Sequence, residues 1–536
     1  MIIERDFVRG IDEWKELANV EDIDLDLDTI DQEVDDQVFP VEIVPKSEYY
    51  RPEIQDAIEA EISKYKSFEA FEEVPDEGQK SVPTRWVVTK QKLDGKNQPF
   101  KARMCIRGDL ERGKEYLRAD APTASKDALK LVLMLAANEG FKVQSGDIKS
   151  AFLQGAKIDR ELFVRPPQEA NVNGKLWLLM QGAYGILDGG RLFYLRLSKE
   201  LEDLGMHRVH SDGALFTYVK NGKFHGIIVA NVDDLILAGD DVFEEHITAK
   251  LKQIFKFSKV EGGTFTYCGN KIVTRDNGTI ELDQNEYIDT LEPLDDFKGD
   301  VTRELSENAK KQVRGKIGEL LWISLLTRPD ISFDVNVLSS QISQGTVETA
   351  KNINKLIKKA KASRNILKFV RLGDASKLTL KIYSDASYCN QDGKTRSTEG
   401  RVLLLTNEET KLVNVVSWKT KKIARVCRSV KSAETRALEE AVDDAINTAR
   451  LVKEIYTGKI DLKSPDQIPV EAFTDSKSLW ESLHNTRQCE DKILRCSIAG
   501  IKELIDLKML KDVHWVSTKQ QLADCMTKAG KKLIGL

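Results

Sequence analysis

No apolar run in this sequence approaches the roughly 18–20 residues that a membrane-spanning helix requires. Residues 1–11 are charged and lack an apolar stretch, which argues against a secretory signal there. The seven cysteines are scattered and none form a C-x-x-C pair. That spacing speaks against a disulfide framework or a cysteine-based zinc site and points to a reducing compartment. The six histidines are equally uninformative, since none is spaced with a cysteine or acid as a zinc ligand would be.

What is present is an ordinary globular composition, 41% hydrophobic and 31% charged, over 536 residues. That length corresponds to three or four domains at about 100–200 residues each. The net charge of −5 conceals an uneven distribution. Residues 1–60 hold 19 acidic against 5 basic residues, which leaves a net of +9 on the rest of the chain. Glu21-Asp22-Ile23-Asp24-Leu25-Asp26-Leu27-Asp28 repels itself, so residues 1–50 are expected to be an acidic, disordered leader.

Beyond the leader, Ile54, Ile58, Ile62 and Tyr65 recur at helical spacing and predict an amphipathic helix over 51–71. Two β-rich runs, 85–92 and 100–107, flank Asp94-Gly95-Lys96-Asn97 and predict a hairpin. Ser125 is placed to cap a helix running through Leu129, Leu133 and Ala137 to Gly140, with a strand at 142–147 after it. Apolar runs 226–230 and 235–238 enclose Asp233-Asp234, which predicts a second hairpin carrying carboxylates at its tip. Residues 241–375 read as mainly helical. Three strands, a long helix over 432–456, and a strand–helix–helix–strand–helix series then predict a compact α+β unit.

An isolated Asp-Asp pair reads as a turn, because aspartate collects in turns. Here the pair has company. A third acid, Asp147, ends a strand, and three converging carboxylates can hold two divalent cations. Gly146-Asp147-Ile148-Lys149-Ser150-Ala151-Phe152-Leu153-Gln154-Gly155, Ala183-Tyr184-Gly185-Ile186-Leu187-Asp188 and Val232-Asp233-Asp234-Leu235-Ile236-Leu237-Ala238-Gly239 follow in order. Together with Phe100-Lys101-Ala102-Arg103-Met104-Cys105-Ile106-Arg107-Gly108 they closely resemble the motifs of copia-type retrotransposon reverse transcriptases, from about Trp86 to the end of the chain.

The resemblance implies roles residue by residue. Asp147, Asp233 and Asp234 match the catalytic metal ligands, with the Ile148 carbonyl as an additional ligand. Arg103 matches the fingers arginine that meets the incoming triphosphate, a role suited to a guanidinium fork. Phe152 matches an aromatic gate that would collide with a ribose 2′-hydroxyl. Tyr184 and Gly185 match the loop beneath the template base. Two departures stand out. Asn231 occupies a position, next to the primer terminus, where the family usually has an aromatic residue or histidine. Gly189-Gly190 replaces small residues or Ala-Pro and is expected to loosen the template loop.

The C-terminal unit carries a second set of acids. Asp385, Glu434, Asp475 and Asp524 stand in Tyr383-Ser384-Asp385-Ala386-Ser387, Ser432-Ala433-Glu434-Thr435, Phe473-Thr474-Asp475-Ser476 and Gln521-Leu522-Ala523-Asp524. Acids on these elements can converge at one end of a sheet and hold two metals. Their order resembles ribonuclease H. The basic run Lys419, Lys421, Lys422, Arg425, Arg428, Lys431 precedes Glu434 and is expected to meet phosphates. Ser517-Thr518-Lys519 fills the loop where many ribonucleases H have a histidine, so product release would not use an imidazole.

The expected fold is therefore α+β multidomain. A right-hand polymerase has its fingers and palm over 51–290; the thumb and helical connection cover 291–375, and an RNase H-like domain covers 376–536. The family implies RNA-directed DNA synthesis with removal of template RNA, using two Mg²⁺ or Mn²⁺ per centre. Implied partners are an RNA template, a DNA primer, an RNA–DNA hybrid, deoxynucleoside triphosphates and other polyprotein products such as integrase. The implied location is a cytoplasmic virus-like particle or the nucleus. The contrasting reading is an inactive or domesticated relic that only binds nucleic acid. No Cys/His knuckle, Asp-Ser/Thr-Gly protease motif or integrase-like zinc cluster occurs, so the chain is expected to be part of a longer polyprotein or a truncated copy.

Overall fold

The computed structural model describes residues 42–530, apart from 94–95, 171, 296, 343–344, 392–394, 461–467 and 486–490. The acidic leader therefore lies outside the described residues up to position 41. Its expected end at residue 50 falls too late, because Glu42–Ile43 (β1) already pairs with a fingers strand. Val44 beside it is 5% exposed. Val44 is covered by α1 (Pro52–Ser67), which buries Ile54, Ile58, Ile62 and Tyr65 as the spacing predicts.

Strands β2 (Phe71–Pro75), β3 (Ser81–Leu93) and β4 (Lys96–Ile106) follow, β3 and β4 forming the expected antiparallel hairpin. Helix α2 (Lys126–Glu139) starts where Ser125 accepts the Ala128 N–H and ends at Gly140 in the left-handed conformation, the two capping signals that mark its bounds. Strands β5 (Lys142–Ile148), β6 (Phe163–Arg165) and β7 (Lys175–Leu179) come next. The fingers sheet has the order β1-β3-β6-β7-β2, with β4 on β3.

After α3 (Gly189–Asp203) come β8 (His207–Arg208), β9 (Leu215–Lys220), β10 (Lys223–Asn231), β11 (Asp234–Gly239) and β12 (Phe257–Gly262). The palm sheet runs β12-β5-β11-β10-β9-β8, so β5 and β11, which carry the first acids, are interior neighbours.

The expectation of mainly helix over 241–375 needs correction. β12 is followed by β13 (Thr264–Tyr267), β14 (Asn270–Thr274) and β15 (Ile280–Asp283), and these last three join β16 (Leu367–Phe369) in a four-stranded sheet. Strands of four to six residues with glycine turns leave too short an alternation to outweigh the helical tract behind them. That tract is real: α4 (Glu307–Leu326), α5 (Ser332–Ser340) and α6 (Val347–Ala362).

Arg328 is the polar anchor of this helical unit and has no exposed surface. It makes two 2.8 Å bonds to Asp330 and donates to the Ala360 carbonyl at 2.7 Å, in the last turn of α6. It also donates to Ser363 Oγ at 2.8 Å. Removing one partner from a buried pair strands the other, a loss of about 3–5 kcal/mol. Arg328→Met is accordingly expected to lower the urea midpoint sharply, whereas Arg364→Met, on an exposed pair with Asp289, should hardly move it.

The last unit comprises β17 (Leu378–Gln391), β18 (Arg396–Asn407), β19 (Val413–Lys422), α7 (Val430–Thr457) and β20 (Val470–Thr474). Helices α8 (Lys477–His484) and α9 (Lys492–Asp506), strand β21 (Asp512–Trp515) and the short α10 (Asp524–Thr527) complete it. Its sheet order is β19-β18-β17-β20-β21, with β20 parallel to both neighbours. The unit docks on the palm through the end of α7, where Glu454 accepts from His207 and the His210 N–H, and Tyr456 bonds Glu139. Lys130 of α2, wholly buried, reaches the α4 terminus at Leu325 O and lies 3.9 Å from the Trp418 ring centroid. This is the α+β multidomain architecture expected from the element order. Among the described residues no helix is long and apolar enough to cross a membrane.

Candidate active sites

Sheet register alone brings the first acids together. Asp234 pairs directly with Asp147 across β11 and β5, and Asn231 pairs with Asp234 around the two-residue turn Val232-Asp233. Val232 has φ of +53°, a conformation costly for a β-branched side chain. The Ile148 N–H donates to the Asp233 carbonyl at 3.0 Å and fastens this turn to β5. Asp147 accepts the Ser258 hydroxyl from β12.

These acids border a cavity of about 660 Å³ that also has Ile148, Arg103 and Tyr184 on its wall. The Arg103 guanidinium lies 5.9 Å from the Tyr184 ring centroid. Phe152 is 9% exposed and meets Tyr184 edge-on at 5.0 Å, so it stands one ring behind the cavity wall. Tyr184 and Gly185 are tied to the end of β4, with Ile106 N–H to Tyr184 O at 2.8 Å and Gly108 N–H to Gly185 O at 3.1 Å. Gly185 has φ of +87°, and a Cβ there would come within 2.2 Å of Ile106 O. Gly185→Ala is expected to detach this loop from β4 and to lower the melting temperature, measured by thermal denaturation.

The loosening expected from Gly189-Gly190 is not what the structure shows. A Cβ on Gly189 would lie 2.8 Å from Ala183 O, so glycine permits a close turn. The loop is also clamped by Arg160, which binds Asp188 at 2.7 Å and Glu111 at 3.0 Å. Asn231 donates to Cys268 Sγ at 2.9 Å, which joins the carboxylate turn to the β13–β14 hairpin. Sequence reasoning missed Ser258, Cys268, Gln284 and Tyr287 on the cavity wall. They lie on elements that read as helix, and nothing in their local pattern singles them out. Lys101 and Lys149 also line it, and both stand inside the quoted motifs.

The second set is more tightly gathered. One carboxylate oxygen each from Asp385, Glu434 and Asp475 lie within 4.8 Å of one another. β17 supplies Asp385, α7 supplies Glu434, and Asp475 follows β20. Burial, then the charges of Asp385 and Asp475, push Glu434 up to about 9. Burial likewise raises Asp385. Glu434 Oε2 has no hydrogen-bond partner. Asp524 sits at the edge of the cluster rather than inside it: it binds Lys528, whose ammonium stands 3.5 Å from Asp385 Oδ2. Buried carboxylates with an orphaned oxygen, neutralised by one lysine, form a donor set that fits hard divalent cations.

Thr518, in the loop without histidine, donates to Asp475 Oδ2 at 2.8 Å. Part of the basic run is spent internally. Lys421 binds Glu440 at 3.2 Å beside Glu399, whose pKa burial pushes up to about 7, and Lys431 binds Ser482 at 2.6 Å.

The chain thus carries two sets of carboxylates, one on the six-stranded β12-β5-β11-β10-β9-β8 sheet and one on the separate β19-β18-β17-β20-β21 sheet. Residues 67–299 match the family model "Reverse transcriptase (RNA-dependent DNA polymerase)". The chain is 26% identical over 466 residues to the "Retrovirus-related Pol polyprotein from transposon RE1" of Arabidopsis thaliana, covering 83% of this chain. It spans 30% of that polyprotein's length. The resemblance to copia-type Pol polyproteins thus extends over most of the chain, and the reverse transcriptase match covers residues 67–299. Among solved structures, RNase H1 from Halobacterium salinarum NRC-1 aligns at 18% identity and TM-score 0.20, over 27% of this chain and 90% of that one. The foamy viral protease-reverse transcriptase solved with double-stranded DNA aligns at 14% identity and TM-score 0.26, over 88% of this chain and 71% of that one.

Proposed function

We propose that the chain is an RNA-directed DNA polymerase with an associated ribonuclease H from a copia-type retrotransposon. The observation that carries this is the Asp147–Asp234 register pair with Asp233 in the adjoining turn, facing the same cavity as Arg103. Asp147, Asp233, Asp234 and the Ile148 carbonyl would hold two Mg²⁺ or Mn²⁺; Asp385, Glu434, Asp475 and Asp524 would hold a second pair. Such ions activate the attacking oxygen, a primer 3′-hydroxyl or a water, and stabilise the leaving oxygen of an in-line displacement.

The chain's own residues do the rest. Arg103 binds the triphosphate of a deoxynucleotide through its planar fork. Phe152, through Tyr184, limits the space beside the sugar and disfavours a 2′-hydroxyl. Tyr184 and Gly185 support the template base. Asn231, held by Cys268, borders the primer end. At the nuclease centre Thr518 orients Asp475, while Lys528 balances the charge of Asp385 and Asp524. Substrates are then a primed RNA or DNA template and an RNA–DNA hybrid, and integrase or other polyprotein products are fitting partners within a virus-like particle.

Primer extension on an RNA template, with Asp233→Asn as control, tests the reading. Full-length product from the unmutated chain and none from the variant is the expected result. Failure of the unmutated chain to extend with either Mg²⁺ or Mn²⁺ would instead support a non-catalytic relic that binds nucleic acid.

A further inference from the structure

A slot of about 340 Å³ lies between α8 and β21, the edge strand of the nuclease sheet, and the assigned chemistry makes no use of it. Its lining includes Lys477, Trp480, His484, His514 and Trp515. Trp515 is 48% exposed, although the fold offers it an acceptor: its indole N–H donates to the Asp475 carbonyl at 3.1 Å. The slot therefore begins one residue's width from the nuclease acids.

Its other walls are braced. His484 lies 4.7 Å from the Trp480 ring and is fixed at both nitrogens, to the Trp480 carbonyl and to Asp512 at 3.0 Å. His514 sits 5.1 Å from Phe473, which in turn stacks on Tyr383 at 4.6 Å, giving a row of rings across three strands. Lys477 is exposed at the entrance. Braced, half-exposed rings with a cation at the rim match a flat π-system carrying a phosphate. A purely apolar partner would leave Lys477 unused.

We propose that this slot holds an unpaired nucleotide of the RNA strand beside the cleavage point, its base against Trp480 and Trp515 and its phosphate on Lys477. The inference rests on the nuclease reading of Asp385, Glu434 and Asp475. Its consequence is preferential cutting of hybrids whose RNA strand leaves the duplex as a single-stranded tail.

Two measurements on the full chain test it. The first compares kcat/KM for RNA–DNA hybrids with and without a short single-stranded RNA tail. Stacking of one base corresponds to a preference of about 5- to 150-fold. Trp480→Ala and Trp515→Ala should bring the ratio to within about twofold of one, and Trp515→Phe should keep most of it. Using the ratio cancels any change in kcat that Trp515→Ala causes through Asp475. The second places 4-thiouridine in the tail and maps the photo-crosslinked peptides, which should contain Trp480 or Trp515. Equal cleavage of tailed and blunt hybrids, an unchanged ratio in Trp480→Ala, or crosslinks confined to the polymerase cavity would overturn the proposal. If the unmutated chain cleaves neither hybrid, the nuclease reading fails, and the crosslink map alone decides the slot.

Discussion

Asp147→Asn is expected to slow primer extension by a factor on the order of 10³ while leaving hybrid cleavage within a few-fold of the unmutated chain. The substitution is nearly isosteric, so β5 keeps its place between β11 and β12. What changes is charge: an amide oxygen is a poor ligand for a hard divalent ion, and one misplaced stabilising group at a developing charge already costs about 10²–10³. Ser258→Ala, which removes the hydroxyl bound by Asp147, should cost far less, because that bond competes with cation binding. Single-turnover extension at saturating nucleotide, beside hybrid cleavage by the same preparation, separates these outcomes. A parallel loss of both activities in Asp147→Asn would mean that the residue supports the fold rather than the reaction.

The contrast between Asp147 and Ser258 shows what could be read from the sequence. Asp147 stands in an ordered series of motifs, and strand pairing converts that order directly into proximity. Helices α1 and α2 were equally legible, because apolar spacing and the Ser125 and Gly140 caps act within a few residues. The succession of elements from β17 to β21 was legible, but the order of the strands in the sheet was not. Ser258 belongs to a six-residue strand whose exposed and half-buried positions show no clear alternation, so no local signal marks it. No local pattern marks Arg328 as buried. Its burial depends on carbonyls from α6, more than thirty positions away. Cys268 meets Asn231 only because two separate hairpins face each other, a contact that no spacing rule encodes.

The second carboxylate centre gives the sharper test, because there electrostatics sets stability and activity against each other. Glu434→Gln is expected to reduce hybrid cleavage by a factor on the order of 10³ and yet to stabilise the metal-free protein. Glu434 is pushed up to about 9, chiefly by burial and then by Asp385 and Asp475. A carboxyl raised in the folded state binds its proton more tightly there than in the unfolded chain. Its ionisation therefore costs no stability below the ordinary carboxyl range, and the cost grows with pH up to about 9. At pH 8 that penalty is about 2–4 kcal/mol, allowing for the coupling among the three acids. Glu434→Gln should thus melt several degrees above the unmutated chain at pH 8 without divalent ions, and the gap should close near pH 5. Adding Mg²⁺ or Mn²⁺ should reverse the order, because the ion stabilises only the folded chain with its carboxylates intact. Melting curves at the two pH values, with and without the ion, read this directly. A pH-independent gap between the two proteins would show that Glu434 is not the strained acid of the cluster.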